Sequence, residues 1–243
     1  MISWTWAFLD RPASTFEACA HFWATVTGST LSPRRGGRDE FLTLLPASGP
    51  AWLKMQVIES ETPGTHLDLD VVDVPRAVER AIALGAKVIA EGDDYTSMTS
   101  PAGQVFCFTT ADPAPRELIG LSASPDGNVT RLDQICLDVS ASNVVDETAF
   151  WRELTGWSPQ PTPRPEFTRL RDPGQPLQFL LQRLDESRPP SAHPDLACTD
   201  VAATATWHEL LGATFVADGA GWLVLRDPSG APYCLTARSP FAG

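Results

Sequence analysis

The sequence predicts an α+β fold built from four βαβββ units. Three observations predict it. First, the 243-residue chain repeats itself at long range. HFWATVTG (21–28) returns as AFWRELTG (149–156), and EFLTLLP (40–46) as EFTRLRDP (166–173). KMQVIESE (54–61) returns as LQRLDESR (181–188), THLDLDVVDV (65–74) as AHPDLACTDV (192–201), and ALGA (83–86) as LLGA (210–213). The offset stays between 126 and 128 residues, so the chain is a duplication of two halves and not a solenoid. Second, the second quarter reads strand, helix, strand, strand, strand. Third, the last quarter repeats that order.

In the first quarter, WTWAFLD (4–10) is the opening strand. STFEACAHFWATVTG (14–28) is a helix closed by Gly28, and DEFLTLL (39–45) and AWLKMQVI (51–58) supply later strands. In the second, THLDLDVV (65–72) alternates polar and apolar residues, the strand period. VPRAVERAIALGA (74–86) follows with Pro75 just inside its start and Gly85 just past its end, the usual helix asymmetry. Its Val74, Ala77, Val78, Ala81, Ile82 and Leu84 fit the helical period. KVIAEG (87–92), DYTSMTS (94–100) and QVFCFTT (104–110) read as three short strands. In the third quarter the elements are RLDQICLD (131–138), the helix NVVDETAFWRELTG (143–156), PEFTRL (165–170) and LQFLLQRL (177–184). In the fourth they are HPDLACT (193–199), the helix VAATATWHELLG (201–212), TFVAD (214–218), GWLVLRD (221–227) and PYCLTAR (232–238). ADPAPRELIGLSASPDGN (111–128) reads as the joint. The expected division is a first domain over 1–115 (units 1–60 and 64–111), a linker over 116–128, and a second domain over 129–243 (units 129–188 and 191–239).

Net charge is −12, which argues against a nucleic-acid partner and gives no basis for binding an anionic membrane. No apolar run approaches a bilayer-spanning length, and MISWTWAFLDRP lacks the basic and apolar regions of a signal peptide. Five scattered cysteines, Cys19, Cys107, Cys136, Cys198 and Cys234, form no CxxC pair and suggest reduced thiols. A cytoplasmic location is the expectation.

The paired βαβββ units, the F-W/L-T-G first helices, His opening the second unit and the P-x-G turn before its last strand resemble the vicinal oxygen chelate superfamily. This is the glyoxalase I, bleomycin-resistance protein and extradiol dioxygenase group. The resemblance covers nearly the whole chain and is of the tandem glyoxalase-like kind. It implies two curved eight-stranded mixed sheets, each with a site on its concave face. It also implies metal ligands on the first and last strands of two units, usually His or Gln on first strands and Glu on last strands. Carried over, these positions are Gln134, Gln182, His193 and Cys234 in the second half, and Trp6, Gln56, His66 and Cys107 in the first. Gln and Cys replace both glutamates in each half, and Trp6 cannot ligate. A divalent metal is therefore disfavoured, and if one binds the set is Gln134, Gln182, His193 and Cys234.

Strand alternation places His66, Asp68 and Asp70 on one face with Cys107, and His193 and Asp195 with Cys234. The candidates for catalysis are His66, Asp68, His193 and Cys234. Cys234 and His193 could pair as thiolate and imidazole, or Cys234 could be a small buried side chain, the reading its type favours. Asp68 could be a base beside His66 or a hydrogen-bonded strand anchor. Trp4 and Trp6 share a face and either line a pocket for a planar or apolar molecule or plug it. Trp23 and Trp151 are expected in the core, His21 and His208 on the surface, and RRGGRDE (34–40) in a solvated turn.

Three functions remain open. The leading one is a protein that binds a small organic molecule, in the manner of bleomycin-resistance proteins. The second is a metal-dependent lyase, isomerase or dioxygenase, and the third a structural or interaction module. Whether the chain is an enzyme is left open, and a monomer or homodimer is expected.

Overall fold

The computed structural model describes residues 2–112, 120–219 and 221–241. The first quarter forms β1 (Ile2–Pro12), α1 (Phe16–Val26), β2 (Ser29–Leu31), β3 (Phe41–Pro46) and β4 (Leu53–Ile58). The second forms β5 (Gly64–Val71), α2 (Val74–Ala83), β6 (Lys87–Glu91), β7 (Tyr95–Thr99) and β8 (Val105–Thr110). A short β9 (Ser122–Ala123) precedes the third quarter, which forms β10 (Val129–Ser140), α3 (Val144–Thr155), β11 (Ser158–Gln160), β12 (Phe167–Arg171) and β13 (Gln178–Leu184). The fourth forms β14 (Ser191–Cys198), α4 (Val201–Leu210), β15 (Thr214–Asp218), β16 (Trp222–Arg226) and β17 (Pro232–Thr236). The expected βαβββ order holds in all four quarters. The three-residue β2 and β11 carry no alternation long enough to read from sequence.

Local chemistry starts the helices. Asp73 caps α2 by accepting from Arg76 N at 3.0 Å, and its repeat partner Asp200 caps α4 by accepting from Ala203 N at 2.9 Å. Pro75 occupies the first turn of α2, where no backbone donor is needed. The P-x-G turns at 101–103 and 228–230 place Gly103 at φ 103° and Gly230 at φ 87°, which L side chains avoid.

The strands form two open mixed sheets, in the order β2-β3-β4-β1-β5-β8-β7-β6 and β11-β12-β13-β10-β14-β17-β16-β15. Adjacent quarters thus share a sheet. β9 pairs with β10 (Ser122 with Thr130), making the second sheet nine-stranded instead of the expected eight. Part of the expected linker is therefore a strand, and residues 113–119 of that stretch lie outside the described residues. Within each sheet one parallel pair, β5 with β8 or β14 with β17, brings a unit's first and last strands together.

The packing divides the chain differently from the sheets. One compact unit takes the described residues of 1–7, 66–115 and 135–192, and the other those of 8–65, 116–134 and 193–243. In the first unit, Phe106 of β8 lies against Trp151 (ring centroids 5.2 Å) and Phe150 (5.9 Å) of α3, and Trp151 lies against Phe179. In the second unit, Tyr233 of β17 lies against Trp23 of α1 at 5.3 Å and Phe22 at 5.8 Å. Phe106 thus meets α3, a helix of another quarter, while its strand β8 also packs on its own α2, and Tyr233 meets α1 as well as its own α4. The largest aromatics sit on α1 and α3, and large apolar rings seek each other. Trp23 and Trp151 are fully buried, as expected.

His208 corrects the sequence reading. It is not at the surface but fully buried on α4, its Nδ1 3.0 Å from the Tyr233 hydroxyl. Burial pushes its pKa down from 6.5 to about 4. His21 is exposed, and the 34–40 turn is solvated, its Arg38 meeting Glu59 at 2.7 Å and its Arg34 pairing with Glu17. Among the described residues no helix is long and apolar enough to cross a membrane.

Candidate functional site

Two copies of one cluster are built by the parallel strand pairs. In the second compact unit, Asp195 of β14 stands in register with Cys234 of β17. Residues in register on adjacent strands project from the same face, and so does a residue two positions away along a strand. His193 therefore joins them. Its Nε2 lies 3.5 Å from Cys234 Sγ and 3.4 Å from Asp195 Oδ1. Gln134, on β10, donates its amide to Asp195 Oδ2. In the first compact unit, Asp68 of β5 stands in register with Cys107 of β8, and His66 Nε2 lies 3.5 Å from Asp68 Oδ1. The three donor atoms of each cluster lie within 4.8 Å of one another. All six residues are buried, none more than 9% exposed.

This geometry decides between chemistries. In a nucleophile relay, the acid holds one imidazole nitrogen and the other nitrogen faces the thiol. Here a single nitrogen, His193 Nε2, meets both Asp195 and Cys234, so it cannot donate to one while accepting from the other. The Cys234–His193 pair weighed from sequence is in contact, and Asp195 approaches the same nitrogen as the thiol instead of the far one.

A metal ion asks its ligand atoms to cluster around one point, as these three donor atoms do. Ligand bonds of about 2.0–2.3 Å around a tetrahedral ion hold the ligand atoms about 3.3–3.6 Å apart. The 3.4 and 3.5 Å contacts of His193 fall in that interval, and the 3.4 Å contact is long for a hydrogen bond to a carboxylate. Asp195 Oδ1 is buried and makes no hydrogen bond. Thiolate, imidazole and carboxylate together suit a borderline divalent ion. The residues fit such a group.

The contacts of the other expected site residues are as follows. Gln182 of β13 lies in the first unit, 3.6 Å from Cys136 Sγ, so it pairs with Cys136 there. Beside them, Asp138 accepts from Arg188 Nη2 at 2.9 Å and Ser191 Oγ at 3.1 Å, a network that spacing did not suggest. Gln56 of β4 stands opposite Phe41, in the second unit. Trp6, half-buried on β1, occupies the repeat position of Gln134. Trp4 is buried on the same face. Asp70 accepts from Thr109 Oγ1 at 2.7 Å and stands outside the donor cluster. The remaining thiols are unreactive by environment: burial pushes Cys19 up to about 11 and Cys198 up to about 12. Asp195 was placed on the right face by alternation but not counted as a ligand. The signal was its spacing of two from His193, repeated as His66 and Asp68.

Residues 6–109 and 134–236 each match the glyoxalase-like domain. The chain belongs to the glyoxalase-like domain family. Among solved structures it resembles the manganese(II)-bound glyoxalase of Novosphingobium aromaticivorans, with TM-score 0.65, 17% identity, and 98% of this chain and 82% of that one covered. It also resembles 2,2',3-trihydroxybiphenyl 1,2-dioxygenase of Sphingomonas wittichii, with TM-score 0.64, 11% identity, and 97% and 90% covered. A variant of 4-hydroxymandelate synthase from Streptomyces coelicolor aligns with TM-score 0.60, 14% identity, and 98% and 93% covered. At these identities the likeness is one of fold. No curated protein sequence matches the chain. Both halves of this glyoxalase-like chain thus carry the family domain, each with a His-x-Asp strand facing a cysteine.

Proposed function

We propose that this glyoxalase-like protein binds a small organic molecule at a divalent ion held by His193, Asp195 and Cys234. The observation that carries the reading is the clustering of three donors of different type, with Asp195 Oδ1 and Cys234 Sγ at 3.4 and 3.5 Å from His193 Nε2. The glutamates that the family resemblance implies are replaced, and Asp195 supplies the missing carboxylate from the first strand instead of the last. A bound ion would polarise an oxygen of the ligand or lower the pKa of a coordinated water. The chain's own residues do the rest. Gln134 orients the Asp195 carboxylate through its second oxygen. Burial of His193, Asp195 and Cys234 at 8%, 3% and 6% exposure keeps bulk water away and strengthens every charge interaction there. A glyoxalase or dioxygenase chemistry is the class this supports, since relatives of the same fold carry those names.

A second reading is ligand binding with no ion, the bleomycin-resistance manner. It is favoured by the Gln134 amide, which already satisfies one oxygen of Asp195. Metal analysis separates the two. Purified protein, stripped and then reloaded with zinc, manganese or cobalt, is expected to retain stoichiometric metal through gel filtration and lose it on Cys234→Ser. No retention at micromolar metal would remove the ion from the function and leave the second reading.

A further inference from the structure

We propose that the cleft between the start of α2 and the β6–β7 hairpin binds a small organic cation, an ammonium group carried on an apolar body. The cleft lies within the first compact unit and has a volume of about 560 Å³. Small-molecule sites run from about 300 to 1,000 Å³. None of the donor-cluster residues lines it, so the inference does not depend on the ion proposed above.

The lining has one sign of charge. Asp73, Asp93 and Asp94 line the cleft, and no Lys, Arg or His does. Asp73 is engaged through Oδ1 in capping α2, so the positive end of that helix is already matched. Asp93 and Asp94 are exposed and make no hydrogen bond or ion pair with the protein. The rest of the wall is apolar. Val72 is 85% exposed and Tyr95 45% exposed. Two unpaired carboxylates beside an open aromatic ring and an uncovered valine match a cation with an apolar body. The carboxylates take the charge, the ring face adds a cation–π contact, and Val72 covers the body.

The two copies of the hairpin show which features are particular to this one. Gly92 N donates to Tyr95 O at 2.9 Å, and in the second half Gly219 N donates to Trp222 O at 2.8 Å. In both, the ring lies back over the glycine. A Cβ at Gly92 would stand 2.3 Å from the Tyr95 ring, and one at Gly219 2.2 Å from the Trp222 ring. The aromatic shelf is thus inherited. The charge is not, because Asp93 and Asp94 are matched by Ala220 and Gly221. A turn needs neither acid for its shape, since the other copy makes it without them.

The test is calorimetric titration of the full chain with benzyltrimethylammonium, with benzyl alcohol as the neutral comparator. The ammonium is expected to bind with a dissociation constant of about 1 mM or below, more weakly as salt rises, and the alcohol at least about tenfold more weakly. The double variant Asp93→Asn/Asp94→Asn should weaken the ammonium about fivefold or more, and Tyr95→Leu about threefold. Asp185→Asn/Glu186→Gln removes two exposed acids outside the cleft and should change the affinity less than about twofold. Far-UV circular dichroism confirms that the variants are folded. Equal binding of the alcohol, no ammonium binding up to about 10 mM, or an unchanged affinity in the Asp93/Asp94 variant would each overturn the proposal. None of these outcomes bears on metal retention by the His193 cluster.

Discussion

Arg11 and Asp227 meet at 2.8 Å with both side chains fully buried. The pair sits in the second compact unit, where Asp227 also accepts from Trp23 Nε1 at 2.9 Å and from Ser229 N at 2.9 Å. One carboxylate thus joins the end of β1, the aromatic face of α1 and the P-x-G turn before β17. The first unit solves the same problem otherwise. Ser100 stands at the repeat position of Asp227, and the acid is Glu147 of α3, which accepts from Ala102 N at 2.9 Å and Trp151 Nε1 at 2.8 Å. The helix-to-turn tie survived the duplication, while the residue that supplies the acid moved.

Removing one partner of a buried ion pair strands the other. Asp227→Asn is expected to cost about 3–5 kcal/mol of stability, because Arg11 is left charged and fully buried. Urea denaturation at neutral pH measures it. A loss below about 1 kcal/mol, the range of a surface pair, would contradict the burial.

Glu147 has no such cation among its hydrogen-bond partners, and burial raises its pKa above 4.5 despite donors from Ser100, Ala102 and Trp151. A carboxyl raised in the fold binds its proton more tightly folded than unfolded. Its contribution is complete below pH 4.5 and is lost as pH rises through the folded value. Glu147→Gln keeps an amide in place of the protonated acid. The variant should match the parent near pH 4 and become relatively more stable toward pH 8, as read from urea midpoints. Parallel curves would show that Glu147 is ionised in the fold at no cost.

His208 acts in the opposite direction. Its folded pKa of about 4 against 6.5 means that its contribution is full above pH 6.5 and is lost as pH falls toward 4. The stake is about 3 kcal/mol, from roughly 1.4 kcal/mol per pKa unit. His208→Gln, which keeps an acceptor for the Tyr233 hydroxyl, should flatten stability between pH 6.5 and 4. An unchanged slope would place the acid sensitivity in another group.

Phe106 is covered by α3, a helix from the other half of the sequence. Phe106→Ala should cost about 3–5 kcal/mol in the full chain. The half-chain 1–112 lacks α3 and leaves that ring uncovered, so it should not run as a stable monomer on gel filtration. A folded monomeric half would mean that α2 can take the place of α3.

The duplication, the order of elements and the face on which each donor lies were legible from residues alone. Period-two alternation in HLDLDV and the repeat offset were enough to place His66, Asp68 and Cys107 together, and His193, Asp195 and Cys234 together. The status of Asp195 was less legible. Its distance from His193 Nε2 depends on strand twist and rotamer, and neither leaves a mark in sequence. His208 misled because the surface is the default for a helical histidine, while its neighbours Phe22 and Tyr233 come from positions 186 residues before and 25 residues after it.

By itself, then, the sequence determined local order. Hydrogen-bonded strands, capped helices and P-x-G turns need only neighbours a few residues away, and a copied segment repeats them. Only the tertiary structure decided which quarters share a core and which donors converge. Those outcomes rest on contacts between residues such as Trp151 and Phe106, or Arg11 and Asp227, whose partners are chosen by shape and charge in three dimensions and not by spacing along the chain.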